Sequence, residues 1–426
     1  MTHPHTNRQT VDDWLRHLEQ IHPVAIDLGL ARVQAAKAQM GLNLACPVIT
    51  IGGTNGKGSV CAFLSTILTA AGYKVGCYTS PHLLHYNERV AVELQPISDA
   101  ALIRSFEAVE AGRGQTPLTY YEFGTLAAIW HFAQAALDVV ILEVGLGGRL
   151  DAVNAFDADV AAVVSVDLDH QAYLGDTREA IAYEKAGIFR AGKVAVCGDA
   201  QPPATLVEHA QSIDADLQLI GKDFGFTRQE QQWAFWGRRG KHLSLPFPAL
   251  RGAYQLGNAS VAMAVLDELR DRLPVSISDI KRGLLQVEWP ARFQVMPGRP
   301  SVILDVAHNP HAARAFGASL KAMGYYEQTF AVFSMLADKD IGSVISLLKE
   351  QIDHWFIAPL DGPRAMSVEA LQAALQAANV IGKISTFETI GDAYRAACDK
   401  AGENDRIAAF GSFYTVAEVL QARQTR

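Results

Sequence analysis

The sequence predicts an α/β protein: a phosphate-loop domain on a mostly parallel sheet, followed by a smaller, Rossmann-like α/β domain. Three observations predict it. Short apolar runs alternate with helical stretches through most of the 426 residues. One of those runs, Pro47-Val48-Ile49-Thr50-Ile51, leads directly into Gly52-Gly53-Thr54-Asn55-Gly56-Lys57-Gly58-Ser59. A proline- and glycine-rich stretch from Trp289 to Pro300 then interrupts the alternation, which resumes after it.

Taken in order, Val48–Ile51 is the first strand, and the glycine-rich turn after it suits phosphate. Backbone N–H groups in such a turn point at an anion, Lys57 adds a charge, and Ser59 can reach Mg²⁺. The match to the general phosphate-loop pattern is imperfect, because Ile51 stands where a glycine is usual and Gly58 separates Lys57 from Ser59. Val60, Phe63, Leu64, Ile67, Leu68 and Ala71 recur at helical spacing, and Gly72 is a suitable stop. Further strands are expected at Val75–Tyr78, Val139–Glu143, Val160–Val166 and Val194–Cys197, with a helix from about Glu122 to Leu137. The polar and aromatic stretch Gln229–Ser244 reads as a small antiparallel hairpin. After the linker come strands at Val302–Val306, Phe330–Ser334, Trp355–Ala358 and Ile407–Phe410. The expected division is therefore 1–288, a linker at 289–300, and 301–426, with a cleft between the two domains as a place for ligands.

Composition narrows the function classes. Hydrophobic residues make up 49% and charged residues 19%, as in ordinary globular proteins. The net charge of −8 argues against general binding to nucleic acid or anionic membrane. No apolar run approaches the roughly 20 residues of a membrane span. Met1–Gln9 has no apolar core of a secretory signal. Cys46, Cys61, Cys77, Cys197 and Cys398 are odd in number and lack C-x-x-C spacing, which disfavours structural zinc and a disulfide framework. A reducing cytoplasm is the expected compartment.

In open parallel sheets, ligands bind beyond the carboxyl ends of the strands. Ser80, Glu143 and His170 all fall at such ends and could surround a Mg²⁺ carried on ATP. Alone, each has a plainer explanation: a turn before Pro81, a paired carboxylate, a strand-end imidazole. Gly145, Gly147 and Gly148 do not form G-x-G-x-x-G, so a nicotinamide reading is weak. Lys185, in Tyr183-Glu-Lys-Ala-Gly-Ile188, reads on composition as a surface helix lysine. Asn309 and Pro310 form a good helix start, which leaves Asp305 and His308 at the preceding strand end unexplained by capping.

Together these stretches resemble the folylpolyglutamate synthase family of the Mur ligase superfamily, and most closely its bacterial bifunctional branch. The likeness rests on Ile26–Leu30, Gly53–Ser59, Thr79–His82, Leu118–Gly124, Glu143–Asp151, Asp169-His170, Glu184–Ile188, Pro290–Phe293, Asp305–Pro310 and Phe410–Ser412, in family order across nearly the whole chain. The resemblance implies a Mur-ligase-like ATPase domain and a glutamate-ligase domain. It implies an ATP- and Mg²⁺-dependent amide ligase joining L-glutamate to 7,8-dihydropteroate and to reduced folates through an acyl phosphate. By the same likeness Thr54, Asn55, Gly56, Lys57, Gly58 and Ser59 hold ATP phosphates, and Asn258, Arg292 and Asp305 contact ATP. Ser80, Glu143 and His170 ligate magnesium, and Lys185, carbamylated by CO₂, holds a second Mg²⁺. His308 and Ser412 lie toward the glutamate or γ-phosphate, with Lys57, Lys185, Asp305 and His308 as the catalytic set. Asp27, Leu28, Gly29 and Leu30, with Thr119, Tyr120, Tyr121 and Glu122 and with Leu150, Asp151 and Ala152, line the pterin site. A monomer acting on small molecules is implied.

Two departures stand out: Ala291 where the family often has glycine, and Phe413-Tyr414 in place of Leu-Tyr. A monofunctional folylpolyglutamate synthase stays open at this point. A Mur ligase acting on a UDP-sugar peptide is disfavoured, since about fifty residues precede Gly52. A nucleotide-switched interaction protein would explain the loop but not the remaining set.

Overall fold

The computed structural model describes residues 8–24 and 26–424. Most of the N-terminal stretch read as carrying no secretory signal, residues 1–7, lies outside the described residues. The chain divides into two compact units: Met1–Phe247 with Gly257–Val287, and Pro248–Leu256 with Glu288–Arg426.

The first unit holds β1 (Val48–Gly52), β2 (Val75–Tyr78), β3 (Val90–Val92), β4 (Gln95–Pro96), β5 (Val139–Glu143), β6 (Val160–Val163), β7 (Val194–Cys197), β8 (Asp216–Leu219), β9 (Gly225–Arg228), β10 (Trp233–Gly237) and β11 (Gly240–Leu245). Among the described residues, eight of these form one sheet in the order β4-β3-β2-β5-β1-β6-β7-β8. Its six strands from β2 to β8 run parallel, and β3 and β4 add an antiparallel edge. Every residue of β1 and β5 is buried, as expected of central parallel strands covered on both faces. The helix Lys57–Ala70 buries eleven of its fourteen residues, including Val60, Phe63, Leu64, Ile67 and Leu68. Each such side chain contributes about 1.5–3 kcal/mol of burial, so the helix is held by packing rather than by propensity.

Two expected boundaries shift for physical reasons. The run Val160–Val166 leaves the sheet after Val163, because the following residues bond to the glycine-rich loop instead. Val164 N donates to the Gly52 carbonyl at 2.9 Å, and the Ser165 carbonyl accepts from Thr54 N at 2.8 Å. The helix expected from Glu122 begins at Tyr120, capped by Thr119. The expected hairpin is β10 and β11, and β9 makes it a three-stranded sheet. Among the described residues, no helix is long and apolar enough to cross a membrane.

The second unit carries β12 (Gln294–Met296), β13 (Ser301–Leu304), β14 (Thr329–Phe333), β15 (His354–Ile357), β16 (Lys383–Thr386) and β17 (Arg406–Phe410), in the order β12-β13-β17-β14-β15-β16. All pair in parallel except β12, which lies antiparallel to β13. Residues 294–296, within the stretch expected as a linker, are thus an edge strand. Phe316, Phe333, Trp355 and Phe410 centre its core.

Candidate active site

Four neighbouring strands, β2, β5, β1 and β6, end on one edge of the first sheet, and the expected polar groups follow them in that order. Ser80 lies two residues beyond β2, Glu143 closes β5, the glycine-rich loop follows β1, and His170 lies on the chain leaving β6. Parallel registers of Ile51 with Glu143, and of Tyr78 with Leu142, bring these ends level. The Glu143 carboxylate is buried and accepts from Ser80 N at 3.0 Å. His170 adopts a left-handed φ of +52°, a conformation rare outside glycine and enriched at functional turns.

The loop itself is built for close approach. Gly56 has φ +86°, and a Cβ there would come within 2.7 Å of Asn258 Oδ1 and 2.8 Å of Val164 Cγ1. Asn258, about two hundred residues away in sequence, is therefore packed against the loop. The Lys57 ammonium folds back onto the Gly53 carbonyl at 3.0 Å. Thr54 Oγ1 donates to the Asp167 carbonyl and accepts from Asp167 N, both at 3.0 Å, and Asn55 N donates to Ser165 Oγ at 3.0 Å. These ties fix the loop's shape from the β6 side. Gly56 opens the helix Lys57–Ala70 with no side-chain cap, and a helix N-terminus is where an anion is favoured.

Lys185 is not a surface lysine. It is only 4% exposed, and burial first, then the Lys57 ammonium, push its amine down to about 7. Asp169 and Asp151 act in the opposite sense. Gly148 makes room for the helix Arg178–Ala186 that carries Lys185: a Cβ there would lie 2.8 Å from the Glu184 carbonyl and 3.0 Å from that of Lys185.

The expected pterin segments are linked to one another. Asp151 is buried and accepts from Gly145 N, Leu146 N and Val153 N, and from the Tyr121 hydroxyl at 3.2 Å. Burial pushes its carboxyl up to about 6 against those donors. Tyr121 also donates to the Glu143 carbonyl at 3.3 Å. Thr119 and Glu122 form a reciprocal capping box, which is the plain structural use of both residues. Glu122 has a second partner that the sequence reading missed. Arg32 donates to Glu122 Oε1 at 3.0 Å and to Asp27 Oδ2 at 2.8 Å, and so ties Asp27–Leu30 to the start of the helix Tyr120–Gln134. Ninety residues separate Arg32 from Glu122, so no local pattern marks the pair. Leu150 and Ala152 flank Asp151, and Ala152 is buried with it.

In the second unit, Arg292, Asp305 and His308 gather. Asp305 accepts from Phe293 N at 2.7 Å and Ala307 N at 2.8 Å, and His308 Nδ1 lies 2.8 Å from the Val306 carbonyl. Burial raises the Asp305 carboxyl, while the Arg292 guanidinium and the two N–H groups pull it down. Arg292 stacks over Phe413 at 5.1 Å. The Ser412 hydroxyl accepts from Thr415 N at 2.9 Å, which is a helix-capping role. Ala291 has φ +60°, which explains why glycine suits that position.

Among the described residues, no three His, Cys, Asp or Glu side chains cluster as a self-sufficient metal site. Ser80, Glu143 and His170 supply a hydroxyl, a carboxylate and an imidazole on the chain beyond adjacent strands, and Mg²⁺ needs only a few protein ligands because water and phosphate oxygens fill its shell.

Two family models match the chain: the Mur ligase middle domain over residues 51–266, and the Mur ligase glutamate ligase domain over residues 291–413. The chain is 44% identical to the dihydrofolate synthase/folylpolyglutamate synthase of Escherichia coli K12, over 97% of this chain and 95% of that one. It resembles E. coli FolC solved with DHPP and ADP, with a TM-score of 0.92, 44% identity and 98% of each chain covered. It also resembles a bifunctional folylpolyglutamate synthase/dihydrofolate synthase solved with Mn, AMPPNP and L-glutamate, with a TM-score of 0.90, 43% identity, and 97% and 98% coverage.

Proposed function

This chain belongs to the Mur ligase family, in its dihydrofolate synthase/folylpolyglutamate synthase branch, and we propose that the strand-end cluster of its first unit is the seat of acyl activation. The protein is an ATP-dependent amide ligase that joins L-glutamate to 7,8-dihydropteroate and to reduced folates. The observation that carries the site is the placing of Ser80, Glu143 and the glycine-rich loop at three adjacent strand ends, with His170 on the chain that leaves the fourth.

A carboxylate cannot expel its own oxygen when an amine attacks. In the proposed sequence the acceptor carboxylate attacks the γ-phosphate of ATP; an oxygen–phosphorus bond forms and the bond to ADP breaks. The glutamate amine then attacks the acyl carbon, phosphate leaves with the bonding pair, and the amine gives up a proton. Thr54, Asn55, Gly56, Lys57, Gly58 and Ser59 hold the phosphates, and Asn258, Arg292 and Asp305 complete the ATP contacts. Positioning and charge neutralisation are the main work of these residues.

Ser80, Glu143 and His170 are the proposed Mg²⁺ ligands; bound there, the ion would neutralise phosphate charge. Lys185 is proposed to carry a carbamate for a second Mg²⁺. Its support is the low basicity of the buried amine, since only a neutral amine adds CO₂, with loss of a proton. Asp27–Leu30, Thr119–Glu122 and Leu150–Ala152 are proposed to hold the pterin, and His308 and Ser412 to face glutamate or the γ-phosphate. Residues 1–288 would bind ATP and pterin, and 301–426 glutamate. A cytoplasmic monomer completes the proposal, and its five free thiols suit a reducing compartment.

The test is ADP release with Mg-ATP and L-glutamate, using dihydropteroate or tetrahydrofolate as acceptor. Glutamate-dependent turnover with both is expected. Turnover with tetrahydrofolate alone would make the protein a dedicated polyglutamate synthase, and turnover with neither would refute the substrate assignment.

A further inference from the structure

Arg89 is a buried cation with no paired anion among the described residues. It is 9% exposed. Its Nε donates to Nδ1 of His82 at 2.9 Å, and because arginine can only donate, that ring nitrogen is the acceptor. The guanidinium lies against the ring of Tyr86 at 5.0 Å and that of Tyr120 at 5.7 Å. The faces it meets are therefore neutral aromatic rings, which solvate a cation only weakly. The adjacent carboxylate, Glu88, is turned away and accepts from Leu83 N, Leu84 N and His85 N at 2.7–2.9 Å. Among the described residues, no carboxylate pairs with Arg89, and its two terminal nitrogens have no hydrogen-bond partner.

Arginine cannot shed its proton, and burying an unpaired charge is costly. Such a group is retained where a ligand supplies the missing anion. The position of Arg89 says which ligand. Its carbonyl accepts from Thr79 N at 2.9 Å, one residue before Ser80, and Tyr78 pairs with Val90 next to it. Its guanidinium meanwhile reaches Tyr120, in the segment 119–122. Arg89 therefore stands between the proposed metal-side and pterin-side parts of the site, all within the first unit.

Resting on the function proposed above, we propose that Arg89 clamps the α-carboxylate of the terminal glutamate of a folate acceptor. A two-pronged guanidinium contact draws charge from both oxygens of a carboxylate and would blunt the attack of a reacting one on phosphorus. The α-carboxylate does not react, and it sits a few bonds from the γ-carboxylate that does. Dihydropteroate has no such group, so Arg89 is a specificity residue for the second reaction. Its flat fork, fixed between two aromatic rings and an imidazole, loses little freedom on binding.

The experiment compares kcat/KM for tetrahydrofolate and for dihydropteroate in the full-length wild type, Arg89→Gln and Arg89→Lys. Loss of a charged hydrogen-bond pair should lower the tetrahydrofolate-to-dihydropteroate ratio at least about tenfold in Arg89→Gln, mainly through KM. Arg89→Lys, which keeps charge but not the fork, should fall between. Equal losses on both acceptors, leaving the ratio unmoved, would overturn the assignment, because a merely structural arginine would damage both reactions alike. If the Gln variant does not fold, the ratio in Arg89→Lys decides by the same rule. A wild type active on neither acceptor refutes the functional reading itself, an outcome distinct from an unmoved ratio.

Discussion

At the scale of the residue, the decisive quantity is what burial does to a charge. Lys185 keeps its amine at about 7 in the fold, against 10.5 ordinarily. Between those values the unfolded chain binds the extra proton, so stability rises with pH across that window, and below about 7 the cost of the buried ammonium is complete. Lys185→Met should therefore stabilise the CO₂-free protein, by about 2 kcal/mol more at pH 7 than at pH 9, measured by denaturant unfolding. The same variant should lose at least about 100-fold in ligation. Lys185→Ala should regain part of its activity with added short carboxylic acids; no rescue at any concentration would argue against a carbamate. Ala291 is a second residue whose environment sets its expected behaviour. It holds a left-handed φ of +60°, so Ala291→Gly should stabilise the protein by about 0.5–1 kcal/mol despite the added chain entropy. A destabilised glycine variant would contradict that.

At the scale of the element, the glycine-rich turn joins a strand to a helix with no room for a side chain. Gly56→Ala places a Cβ against Asn258 and Val164 in a left-handed backbone. It should cost about 1–3 kcal/mol in unfolding and weaken nucleotide binding in calorimetry. Lys57→Ala should instead leave the far-ultraviolet circular dichroism native while ligation falls at least about 100-fold; a lost native spectrum would mean that Lys57 is structural. The contrast explains what the sequence could and could not reveal. The loop, its helix and the strand ends at Glu143 and Ser80 were legible, because each is signalled within ten residues by apolar period, glycine or proline. The end of β6 was not, because Ser165 and Asp167 bond to Thr54 and Asn55 across more than a hundred residues. Arg32 was missed because its partner Glu122 lies ninety residues away, and Arg89 because nothing local marks its burial beside His82 and Tyr86. Lys185 reads from its local sequence as a surface residue, since burial leaves no mark on a Glu-Lys pair.

At the scale of the whole molecule, the chain passes between its two compact units at 247–248, 256–257 and 287–288, so no single cut separates them. The segment 248–256 belongs to the second unit, where Ala253 N donates to Ser319 Oγ at 3.0 Å and Tyr254 stacks on His311 at 5.2 Å. More decisive is what precedes β13. The edge strand β12 covers it, Phe293 packs on Phe316 at 5.9 Å, and Phe293 N satisfies Asp305. A fragment of residues 288–426 keeps all three and should fold cooperatively, weaker by about 1 kcal/mol for each lost contact of the 248–256 segment. A fragment of residues 301–426 loses them. Its first strand, with Val302, Ile303 and Leu304 buried in the intact unit, becomes an open apolar edge. That fragment should aggregate at micromolar concentration by light scattering and lack a cooperative transition. Equal solubility and stability of the two fragments would show that the stretch 289–300 is only a tether; the pairing of β12 with β13, and the bond from Phe293 to Asp305, argue that it is part of the folded unit that presents Arg292.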